Sequence, residues 1–415
     1  MEVVVMRIVY KRCCGLDVHK KVILACLLVL DRDGELRKEI RKFGTMTTDL
    51  LDLLDWLKQA GCTHVAMEST GVYWKPIYNI LEGHVEAVVV NAQHLKGVPG
   101  RKTDVLDSEW LAECFQLGLL KASFIPPAPV RELRDLTRYR TSLIAERARA
   151  ANRLQKVLED ANIKLASVAT DIQGVSSWSM LQAIVAGDTD PEALADLAKG
   201  LLRKKRPQLV KALTGKIKPH HRFLIAELIC QIEYLEETVG RIGKEIEERL
   251  RPFEEDISLL DSVPGISRQT AEVLLAEMGW DMTRFPSDKH LASWAGMCPG
   301  NNESAGKRRT GKTRKGSRWL RHALIEAAHG AARTKNKYLK AHYHRVAAHR
   351  GKKKALVAVG HSILIIAYHL LTRRQQYSDL GANYFDERDR TSVRLRCVKR
   401  LEKLGFRVDL QPSVA

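Results

Sequence analysis

The sequence predicts an α/β domain followed by a mostly helical region. From about residue 12 to residue 120, short β-like runs alternate with segments of helical periodicity. Pro126, Pro127 and Pro129 interrupt this pattern. Beyond them, apolar residues recur mainly at intervals of three and four, which is typical of helices. The predicted domains are 1–125 (α/β), 126–255 (helical, with a coiled coil), 256–380 (mostly helical) and 381–415 (tail).

The N-terminal part is predicted to contain five strands and three helices. A first apolar run ends at Asp17, and the strand over 21–30 is closed by a turn at Gly34. Three strands, helix, strand, helix, strand, helix is the order of an α/β domain. The remaining strands are predicted over 35–43, 63–68 and 85–90, and the helices over about 47–60, up to about 83, and around Asp104 and Asp107.

Four acidic residues stand at positions from which they could share a metal ion. Asp17 and Glu68 each close a predicted strand, and Asp104 and Asp107 stand three apart on one face of a predicted helix. Four carboxylates brought together repel one another, and a divalent cation relieves that repulsion. Oxygen ligands of this kind suit Mg²⁺ or Mn²⁺. An isolated Asp-x-x-Asp pair is more often solvated surface, so the prediction depends on all four.

A seam of apolar residues in the helical region predicts a long helix. The spacings alternate between three and four, which favours a coiled-coil hairpin or a dimer stalk. A single amphipathic helix on a globular core is the alternative. The seam residues are Ile225, Leu228, Ile232, Leu235, Val239, Ile242 and Ile246.

The segment 259–278 resembles a helix-hairpin-helix element. Its Pro264-Gly265 turn stands before an apolar helix. Such a turn can direct backbone N–H groups and a helix N-terminus at a phosphate, although Pro-Gly turns between helices are common without any nucleic acid.

The charge balance favours a polyanionic partner. The chain has 68 Lys+Arg against 49 Asp+Glu and a formal net charge of +19. Nucleic acid is the first expectation and an anionic membrane surface the second. We find no uncharged apolar run of membrane-spanning length and no signal-peptide cleavage pattern, so no membrane is expected. The eight cysteines form no C-x-x-C pair, which fits a reducing cytosol.

The strongest basic segment lies between residues 301 and 321. It has eight Lys/Arg and one acid, Glu303, with interleaved glycines. The glycines favour a phosphate-binding loop, and a disordered basic arm is the alternative. The predicted nucleic-acid-binding residues are Arg101, Lys102, Lys307, Arg308, Arg309, Lys312, Arg314, Lys315 and Arg318.

Five motifs, in this order, resemble those of the DEDD transposases of the insertion-sequence "one-ten" family, across nearly the whole chain. The resemblance implies a RuvC-like N-terminal domain of the RNase H fold, a helical coiled-coil insertion and a C-terminal transposase domain. The motifs are Gly15-Leu16-Asp17-Val18-His19-Lys20, Met67-Glu68-Ser69-Thr70-Gly71, Arg101-Lys102-Thr103-Asp104-x-x-Asp107, Pro264-Gly265-Ile266 and Ser304-Ala305-Gly306-Lys307.

The resemblance also implies site residues and partners. Asp17, Glu68, Asp104 and Asp107 match the metal ligands. Ser304 matches a catalytic serine, within Ser-Ala-Gly-Lys where many relatives have Ser-Gly-Gly-Lys, and Ser317 is the second candidate.

Further expectations concern how such an enzyme works. The partners would be double-stranded DNA at element ends and target, and a structured guide RNA from the element. The protein would act as a homo-oligomer, dimer or tetramer, in the bacterial cytosol or nucleoid, with acids and serine forming one composite site.

Two other functions fit parts of this pattern. A RuvC-like, structure-selective DNA endonuclease would hydrolyse junctions with water and would need no serine. A basic nucleic-acid-binding protein without catalysis is disfavoured, because all four acids are present.

Overall fold

The protein forms two compact units, Met1–Pro126 and Pro127–Ala415. The structure is a computed structural model that describes residues 8–31, 33–69, 71–90, 104–300, 302–304 and 307–411.

The first unit is built on a five-stranded mixed sheet of order β3-β2-β1-β4-β5. The first three strands are antiparallel neighbours, and β1, β4 and β5 are parallel. The predicted strands and helices of this unit are confirmed to within a few residues. The elements are β1 Arg12–Val18, β2 Ile23–Leu30, β3 Leu36–Phe43, α1 Thr47–Gln59, β4 His64–Glu68, α2 Trp74–Leu81, β5 Glu86–Val90 and α3 Asp104–Gln116.

Helices cover both faces of this sheet. Successive side chains of a strand point to opposite faces. Cys14 and Leu16 of β1 accordingly belong to an apolar cluster with α1 and α2. Cys13 of β1 and Ala66 of β4 belong to a second cluster, with Ala112 of α3. Helix α3 therefore packs on the face opposite to α1 and α2.

The second unit is mainly helical, with a short hairpin. Its helices are α4 Ala128–Asp160, α5 Leu165–Val168, α6 Val175–Ala186, α7 Pro191–Asp196, α8 Arg206–Leu213, α9 Pro219–Leu250, α10 Glu254–Asp261, α11 Arg268–Met278, α12 Asp288–Trp294, α13 Arg318–Arg333, α14 Tyr338–Arg350, α15 Lys352–Arg373, α16 Tyr384–Arg388 and α17 Arg390–Lys403, and its strands are β6 Asn302–Ser304 and β7 Lys307–Thr310.

Helices α4 and α9 lie side by side in opposite directions. Arg249 near the end of α9 pairs with Glu132 near the start of α4 at 2.7 Å. His221 at the start of α9 pairs with Asp160 at the end of α4 at 2.8 Å. The predicted long helix is therefore present, and Ile232 is among the seam residues that it buries. Within one chain, α4 and α9 thus form an antiparallel pair, and the connection between them contains α5 to α8.

The Pro-Gly turn joins α10 to α11, and its glycine packs against α13. Gly265 has φ of +95°, and a Cβ atom there would lie 2.3 Å from the carbonyl oxygen of Ala327 and 2.4 Å from the backbone nitrogen of Ala331. Only glycine allows this approach at that φ. The turn thus has a packing role that the sequence pattern does not indicate, and its contact with phosphate stays a prediction.

The expectation that no uncharged apolar run reaches membrane-spanning length is wrong for residues 355–372, since among the described residues one helix, α15, is long and apolar enough to cross a membrane by length and composition. Half of its most apolar window is buried inside the protein. Val359, Ile363 and Leu364 of α15 belong to the largest apolar cluster of the second unit. We therefore describe α15 as a core helix.

The fold predicts a strong contrast in thiol reactivity. Burial raises the pKa of Cys13 to about 12 and that of Cys62 to about 11, whereas Cys230 and Cys397 are exposed. Because the thiolate is the reactive form, iodoacetamide at pH 8 should label the exposed pair quickly and the buried pair only after unfolding. Peptide mass spectrometry after timed labelling measures this. Equal rates at Cys13 and Cys230 in the folded protein would contradict the described core.

Candidate functional site

Asp17 and Glu68 occupy adjacent positions at the ends of two neighbouring parallel strands. The register pairs Gly15 with Ala66 and Leu16 with Met67, so Asp17 and Glu68 are the next residues on each strand. Neighbouring strands lie about 4.8 Å apart. Ala66 belongs to the cluster on the α3 face, and two residues further along a strand the same face recurs. Both acidic positions therefore belong to the α3 side of the sheet.

Helix α3 contacts strand β1 through its backbone. A Cβ atom at Gly15 would lie 2.6 Å from the backbone nitrogen of Ala112 and 2.6 Å from the carbonyl oxygen of Ser108. Cys13 Sγ lies 3.8 Å from the carbonyl oxygen of Ala112. As β1 proceeds towards Asp17, its neighbours on α3 move towards the helix N-terminus.

That N-terminal turn carries the other two predicted ligands. Asp104 is the first residue of α3, and Asp107 is exposed directly before the fully buried Ser108. The side chain of Asp104 and the whole of Arg101 and Lys102 lie outside the described residues. The backbone thus directs the start of α3 towards the strand ends that bear Asp17 and Glu68.

An ion pair gives α3 a second attachment to the sheet. Lys38 Nζ of β3 lies 3.0 Å from Glu109 Oε2 of α3. The hydrogen bond to the Glu109 carboxylate raises the pKa of Lys38. Nothing in the sequence pattern indicates this pair, because β3 and α3 are distant in the chain.

His19 contacts one of the candidate ligands. Its Nε2 lies 3.0 Å from Asp17 Oδ2, and the side chain of Asp17 is 14% exposed. His19 lies just past the end of β1, where its N–H donates to the carbonyl oxygen of Val22. The contact places an imidazole beside a predicted metal ligand. In the sequence, the only signal for this contact is that His19 follows Asp17 by two residues.

Ser304 lies in a β-hairpin of the second unit. Strand β6 ends at Ser304 and pairs with β7 in antiparallel register, with Ser304 opposite Lys307. The side chains of residues 301–310 lie outside the described part of the chain. The segments that directly precede β6 and follow β7 also pair: Gly300 N donates to the carbonyl oxygen of Lys312 at 2.8 Å, and Pro299 forms a β-bridge with Thr313. The expected basic loop therefore includes a short two-stranded element.

Ser317, the second serine candidate, has a structural role. Its Oγ accepts a hydrogen bond from Leu320 N at 3.3 Å and so caps α13. The same hydroxyl donates to Glu277 Oε2 at 2.8 Å. Glu277 is 1% exposed, and Arg138 binds both of its oxygens at 2.6 and 2.9 Å. These contacts commit the Ser317 hydroxyl to holding α13.

The structure describes the side chains of four of the predicted nucleic-acid-binding cations. Lys312, Arg314, Lys315 and Arg318 are exposed on the segment that leads into α13. Arg318 also lies over the ring of Trp319, with its guanidinium carbon 4.7 Å from the ring centre. The three cations on β7 have a described backbone only; they are Lys307, Arg308 and Arg309.

In the part of the chain that the structure describes, three potential metal ligands come together where α4 meets α9, whereas Asp17, Glu68 and Asp107 form no such close group. Ligand atoms of Asp160, His220 and His221 lie within 4.8 Å of one another. His221 Nδ1 accepts a hydrogen bond from Lys218 N at 3.3 Å, and its Nε2 pairs with Asp160 Oδ2. Since both ring nitrogens of this buried histidine have partners, the group is better explained as a helix–helix attachment than as a metal site.

Comparison with known proteins gives two family matches. A DEDD model described as "Transposase" matches residues 14–163, and a model described as "Transposase IS116/IS110/IS902 family" matches residues 257–344. Both define the chain as a transposase. More particularly, the chain belongs to the IS110 family of insertion-sequence transposases.

Individual relatives agree with this assignment. A Sinorhizobium fredii protein with the name "Putative transposase y4pF/y4sB" is 24% identical over 333 residues, which cover 79% of this chain and 77% of that protein. The IS110 43.6 kDa protein of Streptomyces coelicolor is 26% identical over 55% of this chain and 61% of its own length. The IS116 44.8 kDa protein of Streptomyces clavuligerus is 25% identical over 56% and 64%. The chain thus spans less than two thirds of the latter two.

Replacement of Gly15 tests the contact between α3 and β1. In Gly15→Ala, the new methyl group meets backbone atoms that move only if the helix moves, so we expect a loss of about 1–3 kcal/mol in the free energy of unfolding. Urea denaturation measures it. The matched control is Gly240→Ala on α9, where a Cβ atom meets nothing within 4 Å. That variant should gain about 0.5–1 kcal/mol, as expected for a helical glycine. Equal stability of Gly15→Ala and wild type would contradict the described contact.

Proposed function

We propose that this protein is the DNA transposase of an insertion sequence, which cuts and rejoins strands by Mg²⁺- or Mn²⁺-dependent phosphoryl transfer with a serine nucleophile. Chief support comes from the strand ends of the first unit. Asp17 and Glu68 follow directly on paired residues of two parallel strands, and α3, which begins at Asp104, packs on that side of the sheet. A RuvC-like RNase H fold is supported by the strand order, in which an antiparallel trio continues into a parallel pair.

The residue types that we propose for this site suit a divalent metal ion. The donor set that Asp17, Glu68, Asp104 and Asp107 would provide consists only of carboxylate oxygens, which Mg²⁺ and Mn²⁺ prefer. The partial burial of the Asp17 side chain lowers competition from water. When bound, such an ion polarises the scissile phosphate and stabilises charge on its oxygens.

The protein's own groups would perform the transfer. Ser304 Oγ would attack phosphorus, so that an O–P bond to the serine forms while the bond to the leaving strand oxygen breaks. Ser304 Oγ loses its proton as it attacks, and the leaving oxygen takes up one, so that it becomes the free hydroxyl that can later resolve the phosphoserine. Lys307, which is opposite Ser304 in the hairpin, would neutralise charge on the phosphate together with Arg308 and Arg309.

Ser304 is preferred to Ser317 because of what surrounds the second serine. A nucleophile must be free to leave its hydrogen bonds and reach phosphorus. The Ser317 hydroxyl instead caps α13 and donates to a carboxylate that is 1% exposed. Breaking these bonds would leave Glu277 with one fewer donor inside the protein.

The partners that we propose are the double-stranded DNA of element ends and target, a structured guide RNA, and further copies of this chain in a dimer or tetramer. The net charge of +19 and the exposed cations before α13 support binding to nucleic acid. The guide RNA and the oligomer follow from the family resemblance alone.

Loss of one carboxylate tests the metal-dependent chemistry. Asp107→Asn should lower the rate of Mg²⁺-dependent cutting of element-junction DNA by about 1,000-fold, since several kcal/mol of charge stabilisation depend on the ion. DNA binding without metal should be unchanged. The matched control is Asp55→Asn, an exposed aspartate of α1, on the opposite face of the same sheet. If Asp107→Asn cuts at the rate of Asp55→Asn, Asp107 is not a ligand.

A pair of serine variants separates a transposase from a water-using junction endonuclease. Ser304→Ala should abolish the protein–DNA adduct seen on denaturing gels with end-labelled DNA, with little change in melting temperature. Ser317→Ala should keep the adduct but lose about 1–2 kcal/mol of stability, because a helix cap and a hydrogen bond to Glu277 disappear. Continued strand cutting by Ser304→Ala, with no adduct in wild type either, would favour the RuvC-like endonuclease. Adduct loss only in Ser317→Ala would reverse the two assignments.

A further inference from the structure

The C-terminal helix α17 carries a stripe of four cations. Their positions i, i+3, i+4 and i+7 place them on one face of the helix. Glu402, the one acid within α17, falls on another face. The helix lies outside both segments that the family models match, which end at residues 163 and 344. The stripe consists of Arg396, Lys399, Arg400 and Lys403.

The part of the chain that the structure describes gives this stripe no ion-pair partner. Among the residues that the structure describes, none of the four cations forms an ion pair, and all four are exposed. Two other basic residues nearby do have a partner, since Arg345 and Arg388 both contact Asp389, at 3.2 and 3.4 Å. The stripe contains two like-charge pairs at a spacing of four, which destabilise an isolated helix. No residue of α17 is buried, so packing does not offset this cost.

The start of α17 is nevertheless held in place. Phe385 on the preceding α16 stacks on Tyr338 and His342 of α14, with ring centres 5.3 and 5.7 Å apart. Arg345 of α14 lies over the same Phe385 ring at 4.8 Å. The contacts with α14 therefore fix the segment that directly precedes the exposed helix α17.

A groove of about 340 Å³ joins the stripe to a second basic segment. Arg345 and His349 of α14 line it together with Arg396, and so do two acids, Asp386 and Asp389. Residues 333–354, which include α14, contain nine Lys/Arg and no acid. Arg396 of the stripe thus shares a groove with the basic helix α14, and within that groove Asp389 is already paired with Arg345 and Arg388.

We propose that α17 binds the phosphate backbone of duplex DNA through this stripe. A polyanion supplies the ion-pair partners that these four cations lack among the described residues. A helix of this length is about 21 Å long and, at about 10–12 Å across, fits the major groove of B-DNA, whereas the major groove of A-form RNA is too narrow for it. The surface requires neither the acidic site nor Ser304, so it goes beyond the proposed chemistry and can fail separately.

Two arginine pairs on different faces of α17 provide a matched test. Arg396→Gln/Arg400→Gln removes two stripe charges, and Arg390→Gln/Arg394→Gln removes two charges with the same spacing from the other side. Each variant of the full chain is titrated with a 30-bp duplex of random sequence by fluorescence anisotropy, in EDTA, at several salt concentrations between 50 and 200 mM.

The plot of log K against log salt has a negative slope, to which each phosphate contact contributes about 0.9. Loss of two contacts should therefore make this slope shallower by about 2. The stripe variant should also bind about tenfold more weakly at 100 mM salt, while the control pair stays within about twofold of wild type. Equal effects of the two pairs, or no effect of either, would overturn the proposal.

Two further measurements distinguish DNA binding from a loss of folding, from RNA binding and from self-association. Circular dichroism should show the same helix content and melting temperature in both variants, because no α17 side chain is buried. The same titration with a 30-bp RNA duplex should show no difference between the pairs, and a loss confined to RNA would refute the DNA assignment. A change of oligomeric state in light scattering without a change in DNA slope would mean that the face binds a second copy, which also refutes it.

Discussion

The backbone contact between α3 and β1 at Gly15 is the constraint on which the N-terminal unit depends. A side chain of any size at this position would meet main-chain atoms of Ser108 and Ala112 at 2.6 Å. The contact fixes the position of α3 along the direction of β1, and hence which turn of the helix lies nearest the strand ends. The Lys38–Glu109 ion pair adds a second point of attachment, so that α3 is held against two strands. The proposed metal centre depends on this approach, because it sets where the first turn of α3 lies relative to the ends of β1 and β4.

Charged groups have two different uses in the second unit. Glu277 is buried, receives two hydrogen bonds from Arg138 and one from Ser317, and so attaches α11 to both α4 and α13. Such a carboxylate must keep its partners, because an unpaired buried charge is costly. The cations of α17 are the opposite case, since they are exposed and have no acidic partner among the described residues. Buried, paired charge holds the helices together, and exposed, unpaired charge is available to a polyanion.

The secondary structure of the first unit could be predicted from the sequence because its signals are local. Strand runs and helical periodicity between residues 12 and 90 place each element within a few residues of its observed bounds. The positions of Asp17 and Glu68 at strand ends follow from the same patterns. The face of the sheet to which they belong does not, since it depends on the register between β1 and β4 and on where α3 packs. The contact of His19 with Asp17, the Lys38–Glu109 pair and the role of Gly15 are likewise tertiary.

The second unit is less predictable for the same reason. The apolar seam predicts the long α9, but not that α4 of the same chain contacts it. A Pro-Gly turn between helices suggests phosphate contacts, whereas the structure packs Gly265 on α13. Ser304 and Ser317 are alike in sequence, both lying in a basic segment, and only the contacts of Ser317 with Leu320 and Glu277 separate them. The sequence pattern of the tail suggests no function by itself. Only the helix α17 shows that the four stripe cations lie on one exposed face.

An anomalous difference map from crystals grown with Mn²⁺ tests the proposed metal centre most directly. We expect a peak about 2 Å from carboxylate oxygens of Asp17 and Glu68, with oxygens of the first turn of α3 completing the coordination. No peak at the ends of β1 and β4 at saturating Mn²⁺, with a peak beside Asp160, His220 and His221 instead, would contradict it. In that case the four acids do not share an ion, and the proposed chemistry has no metal centre.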